Sequence, residues 1–89
     1  MTSWTVEWKD DALKALRRLG KTTQAKIFRY LETRLETEED PRRFGKPLRC
    51  DLSGFWRYRV EDYRIICRLE EGKMIVLVVG VDHRKDIYE

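Results

Sequence analysis

The chain has 89 residues, long enough to bury one modest core and too short for two, so a single domain spanning residues 1–89 is expected. Its balance of 42% hydrophobic and 39% charged residues excludes a disordered or low-complexity chain. The formal net charge is only +3, from 19 Lys and Arg against 16 Asp and Glu, so partners must be read from where the charges lie rather than from their sum.

Residues 3–8 (SWTVEW) alternate, with Trp4, Val6 and Trp8 on one side and Thr5 and Glu7 on the other, which predicts a half-buried strand. Asp10 or Asp11 is then available to cap a short helix whose apolar positions are Ala12, Leu13, Leu16 and Leu19, with Gly20 ending it. Thr22 or Thr23 can cap a longer second helix with a stripe of Ile27, Phe28, Leu31 and Leu35 and with Lys26, Arg29, Glu32 and Glu36 turned away. So short a link makes the two helices an antiparallel hairpin. Acidic residues and Pro41 close the second helix and open a loop through Gly45 and Pro47, followed by a short edge strand around 48–52.

The C-terminal half reads as a β-meander over 54–60, 63–69 and 73–81. If Glu61 and Asp62 form a two-residue turn, Val60 pairs with Tyr63. Trp56, Tyr58, Val60, Tyr63, Ile65, Cys67 and Leu69 then share the core side, while Phe55, Arg57, Arg59, Arg64, Ile66 and Arg68 share the other. The third strand is apolar on both sides and is expected to be central, with the N-terminal strand beside it. The expected fold is α+β in two layers: an N-terminal strand, an antiparallel helical hairpin and a three- to four-stranded β-meander, with helices on one face of a mostly antiparallel sheet. The face left open would carry Ile75, Leu77, Val79 and Val81 next to the arginines, an apolar area that asks for a partner.

Charge is unevenly spread. Residues 32–40 hold four Glu and one Asp, whereas residues 42–68 hold eight Lys or Arg against three acidic residues, the footprint of an anion-binding face. Arg59 stands across from Arg64 in the predicted register. Like charges so placed destabilise a sheet, which implies a bound anion or acidic neighbours; the bland alternative is a solvated basic face. Guanidinium forks suit phosphate oxygens, since they stay charged and bond bidentately.

RNA can be cut without a metal when its 2′-hydroxyl attacks the adjacent phosphorus, given a base, an acid and cations for the phosphorane. Arg57, Arg59, Arg64 and Arg84 are candidates for the cations. His83 is the sole histidine, and imidazole is the side chain whose unperturbed titration suits proton transfer near neutral pH, although a lone histidine at a strand end is more often a structural hydrogen-bonder. Tyr88 could stack on a base or pass a proton, or tuck against the core. Lys46, Arg49, Arg68 and Lys85 are candidates for further RNA contacts. Asp82 and Asp86 read as charge partners of their basic neighbours rather than magnesium ligands. Cys50 and Cys67 lack metal-ligand spacing and read as reduced, structural thiols, no glycine-rich phosphate loop occurs, and no cofactor or metal is expected. The apolar run from Met74 to Val79 is too short for a membrane helix, so a cytoplasmic protein is expected.

The segments GFWRYRVEDYRIICR and VDHRKDIY, with the preceding GKPL and the N-terminal SWTVEW, resemble the RelE/ParE family of bacterial toxins, on its RelE messenger-RNA interferase branch. The resemblance covers nearly the whole chain. It implies a toxin of a type II toxin–antitoxin module that inhibits translation by cleaving messenger RNA in the ribosomal A site, by 2′-hydroxyl attack without metal, and that is neutralised by a cognate antitoxin. It matches the family's two basic residues after the GKPL loop to Arg57 and Arg59, its arginine on the next strand to Arg64, the arginine near the end of the last strand to Arg84, and its C-terminal tyrosine to Tyr88. Arginines stand where lysines are common in the family, and arginine is the poorer base, which turns attention to His83. Two other readings are a ParE-like inhibitor of DNA gyrase and a non-catalytic RNA-binding domain.

Overall fold

The computed structural model describes residues 3–48 and 54–83. In chain order they form β1 (Thr5–Trp8), α1 (Asp10–Arg17), α2 (Lys21–Tyr30), a π-helical turn (Leu31–Leu35), a 3₁₀ turn (Pro41–Phe44), β2 (Lys46–Pro47), β3 (Phe55–Val60), β4 (Tyr63–Glu70) and β5 (Ile75–His83). The five strands make one sheet in the order β1-β5-β4-β3-β2; β1 runs parallel to β5, and the other pairs are antiparallel. Both helices lie on one face, and the α+β architecture, the central β5 and its N-terminal neighbour are as the pattern predicts. Among the described residues no helix is long and apolar enough to cross a membrane.

The core is built from Ala12, Leu16, Ile27, Leu31 and Leu35 of the helices against Tyr58, Val60, Ile65, Cys67, Leu69, Val76, Val78 and Val81 of the sheet, with Trp4 at its edge. Trp56 and Tyr63 are partly buried against it. The β3–β4 register follows the two-residue turn at every step, from Val60 opposite Tyr63 to Phe55 opposite Arg68.

Local details differ from expectation at the helix ends. Lys9, not an aspartate, is the N-cap of α1, because its N–H donates to the Val78 carbonyl (2.9 Å) and holds it in the sheet; Asp10 and Asp11 sit inside the first turn, where their charge suits the helix dipole. Gly20 does not end α1, which stops at Arg17; it is the N-cap of α2, and Thr22 and Thr23 are already helical. The Gln24 amide reaches back to the Leu19 carbonyl (2.7 Å) and so covers the end of α1. The second helix closes in a π turn, with the Glu36 N–H donating to the Leu31 carbonyl (3.1 Å). Ile27, Leu31 and Leu35 face the core, but Phe28 is 39% exposed, its ring against Trp8.

The remaining corrections concern strands. The edge strand is Lys46–Pro47, earlier than expected, with Leu48 still donating to the Phe55 carbonyl; residues 49–52 lie outside the described residues. On β5 the pairing jumps from Gly80 opposite Ile66 to Val78 opposite Cys67, so Val79 is an extra residue in a β-bulge. Beyond it the alternation changes phase. Val81 therefore faces Ile65 in the core instead of joining the open face, and Ile75, Leu77 and Val79 are half-buried rather than exposed.

Candidate functional site

The face of the sheet away from the helices carries four cross-strand rows. Arg59, Arg64 and Asp82 form one, Lys46, Arg57, Ile66 and Gly80 the next, Phe55, Arg68, Leu77 and Glu7 the third, and Glu70, Ile75 and Thr5 the last. Neighbouring strands lie about 4.8 Å apart, so the cations of the first two rows occupy one patch. Asp82 is the acidic neighbour that the Arg59–Arg64 pairing called for, and it faces that way only because the Val79 bulge shifts the phase of β5.

Arg59 is held from below. Its Nε donates to the Glu61 carbonyl (3.2 Å), and Glu61 adopts the left-handed conformation (φ 55°) that lets the turn close in two residues. The Glu61 carboxylate in turn pairs with Lys26 of α2 at 2.7 Å. The Nη groups of Arg59 thus project from a fixed stem.

Lys46 arrives by a loop clamped onto β3. Tyr58 passes through the core and donates its hydroxyl to the Pro41 carbonyl (2.9 Å). Burial raises the pKa of that phenol well above its ordinary value, so it remains a donor. Gly45 lies flush on β3: a Cβ there would come within 2.7 Å of the Tyr58 ring and 2.9 Å of the Arg57 carbonyl oxygen. Asp40 caps the 3₁₀ turn by accepting from the Arg42 N–H (3.0 Å). Between this loop and the β3–β4 turn runs a cleft lined by Lys46, Arg57, Arg59 and Arg64, with Glu61 and Asp62 at its rim.

Of the residues singled out from sequence, Lys46, Arg57, Arg59 and Arg64 meet at this cleft, and Arg68 lies on the same face one row further along. His83 pairs with Tyr63 and meets its ring edge-on at 5.0 Å between centroids, on the side of Ile65 and Val81, opposite the arginines. Arg49, Cys50, Arg84, Lys85, Asp86 and Tyr88 lie outside the described residues. Cys67 is a buried free thiol with its pKa pushed up by desolvation, and among the described residues no group of His, Cys, Asp and Glu is arranged to hold a metal ion. The structure adds Glu61, Gly45 and Tyr58 as residues that hold the cations in place. In the sequence they show only as a turn position at Glu61, a core-side tyrosine on β3 and a glycine just before Lys46.

The family model for the ParE toxin of the type II toxin–antitoxin system parDE matches residues 6–88. Toxin RelG of Mycobacterium tuberculosis is 34% identical over 85 residues, which cover 96% of this chain and 95% of RelG. Among solved structures, the RelBE2 toxin–antitoxin complex from M. tuberculosis has a chain that superposes with a TM-score of 0.83 at 32% identity, covering 94% of each chain. The free state of an Escherichia coli RelE toxin mutant gives 0.74 at 21% identity over 96% of this chain and 87% of that one, a likeness of fold.

Proposed function

Because the chain belongs to the RelE/ParE family of type II toxin–antitoxin toxins, we propose that it is an endoribonuclease that cleaves messenger RNA on the ribosome, inhibits translation and is held in check by a cognate antitoxin. One observation supports this above the others: Lys46, Arg57, Arg59 and Arg64 converge on one cleft on the sheet face the helices leave open. The antitoxin proposal draws on the RelBE2 relative, which was solved as a toxin–antitoxin complex. A basic face of this kind is one that an acidic protein segment covers well.

In the proposed reaction the 2′-hydroxyl forms a bond to the adjacent phosphorus and the bond to the 5′-oxygen breaks. The hydroxyl's proton leaves to a base, and a second proton reaches the departing oxygen. Arg57, Arg59 and Arg64 hold the phosphate and stabilise the extra charge of the phosphorane, the match to the family gives Arg84 the same role, and Lys46, Arg49, Arg68 and Lys85 grip the flanking backbone. An arginine whose stem is fixed by a backbone carbonyl, as Arg59's is, needs little reorganisation to do this. Of the two candidate proton carriers, His83 lies on the side of the sheet opposite the arginines, out of reach of a phosphate held by them, which leaves Tyr88 as the proposed one.

The name of the matching family model motivates a second reading, inhibition of DNA gyrase, while the RelE-type names of the relatives favour the first. Mapping message ends in a reconstituted translation reaction, beside a supercoiling assay, separates them. Cut messages with normal supercoiling are expected; intact messages with arrested supercoiling would replace the ribonuclease reading by the other.

A further inference from the structure

A second basic surface lies on the opposite layer of the molecule. Residues 12–31 contain six Lys or Arg (Lys14, Arg17, Arg18, Lys21, Lys26 and Arg29) and no Asp or Glu, a local charge twice the net charge of the whole chain. All six side chains are exposed on the helical hairpin. Lys26 is paired with Glu61, but among the described residues the other five make no ion pair with a carboxylate.

Helix energetics account for only part of this. Lys14 and Arg17 lie in the last turn of α1 and Arg18 just after it, where cations suit the helix dipole. Lys21 sits at the other kind of end, the first turn of α2, which has no acidic residue to offset it. Like charges also stand at helical contact spacing, Lys14 with Arg17 and Arg18, and Lys26 with Arg29, which weakens a helix by a few tenths of a kcal/mol per pair. A surface tuned for stability alone would hold carboxylates among these cations.

The ridge also has a shape. A shallow groove along the outer side of α2 is lined by Lys21, Thr22, Ala25, Lys26 and Arg29, so its cations are separated by small side chains. From Lys21 to Arg29 the helix rises about 12 Å, which spans several backbone phosphates. Among the described residues no aromatic ring lines the groove, which is therefore without the stacking platforms that grip unpaired bases. It also lacks the large apolar anchors around which protein interfaces form. What fits is a backbone whose bases are already hidden.

We infer that the α1–α2 hairpin is a docking surface for the phosphate backbone of double-stranded RNA, separate from the cleft on the far face of the sheet. The inference rests on the proposed ribonuclease function only in naming RNA as the polyanion. It makes the protein two-sided, with the sheet face taking the strand to be cut and the hairpin gripping a folded RNA segment by charge and shape.

The test is fluorescence anisotropy with a labelled RNA duplex of about 16 base pairs over a range of salt concentrations. It is done in an Arg64→Ala background so that cleavage does not intrude. Two variants are compared with that background: Lys14→Gln/Arg17→Gln/Arg18→Gln, and Lys21→Gln/Arg29→Gln. Glutamine keeps the helices, and melting curves check that it does. Each variant is expected to bind the duplex at least about tenfold more weakly, with a log–log salt slope shallower by about two to three for the triple and about one to two for the double variant. The same substitutions in the otherwise native chain are expected to leave the chemistry of cleavage unchanged, with messages still ending in 2′,3′-cyclic phosphate and 5′-hydroxyl. Unaltered duplex affinity and slope in both variants overturn the inference. So does a loss confined to an acidic protein partner, which would make the ridge a protein-docking surface. If the native chain cuts no RNA, the ribonuclease reading fails, while the duplex titration still gives its own answer.

Discussion

Along β3 and β4, the side chains facing the helices are Tyr58, Val60, Ile65, Cys67 and Leu69, and those facing away include Arg57, Arg59, Arg64 and Arg68. The same stretch of backbone therefore holds the core on one side and the cations on the other. Alternation of period two allows this without compromise, since a change on one face leaves the other's contacts in place. On β5 the separation depends on one residue, Val79, whose bulge turns Val81 into the core and Asp82 toward Arg64.

The most severe way to break this comparison is Val81→Asp, which sets an unpaired carboxylate on the core side of β5 opposite Ile65. Burying it costs several kcal/mol, and loss of cooperative thermal unfolding is the expected result. Arg64→Ala sharpens the contrast from the other side: message cleavage should fall roughly 100- to 1,000-fold, the usual cost of removing a group that stabilises transition-state charge, while the melting temperature stays close to that of the native chain.

Tyr58→Phe touches both faces at once, because Tyr58 belongs to the core yet its hydroxyl anchors the loop that delivers Lys46. Leaving the Pro41 carbonyl without its donor should cost about 1–3 kcal/mol in denaturant unfolding, with a smaller loss of cleavage than for Arg64→Ala.

The smallest effect concerns pH. Burial raises the Cys67 thiol above its ordinary value of 9.0, so the folded protein keeps the proton that the unfolded chain releases in base. This contribution is complete below about pH 9 and is lost as pH rises beyond it. In Cys67→Ala, stability measured from pH 8 to 10.5 should decline less steeply than in the native chain, whatever the offset between the two.

The sequence made the patch legible because its geometry is local. A two-residue turn at Glu61 and Asp62 fixes every pair from Val60–Tyr63 to Phe55–Arg68, and the apolar alternation says which side is buried. The Val79 bulge was not legible: it lies in a run of apolar residues where either phase looks the same, so the fate of Val81 was misread. Helix ends were misplaced for a related reason. Lys9 caps α1 because of a hydrogen bond to β5, a contact remote in sequence, which outweighs the capping preference of two adjacent aspartates. The position of His83 follows from the same bulge, since it sets which side of β5 the last strand residues face.

The central claim is that the arginine face promotes attack by RNA's own 2′-hydroxyl, and the ends of the cleavage products test it most directly. Messages cut in a reconstituted translation reaction should carry 2′,3′-cyclic phosphate on the upstream fragment and a 5′-hydroxyl on the downstream one, with both products reduced roughly 100- to 1,000-fold by Arg64→Ala. Cleavage that leaves 3′-hydroxyl and 5′-phosphate ends would contradict the account.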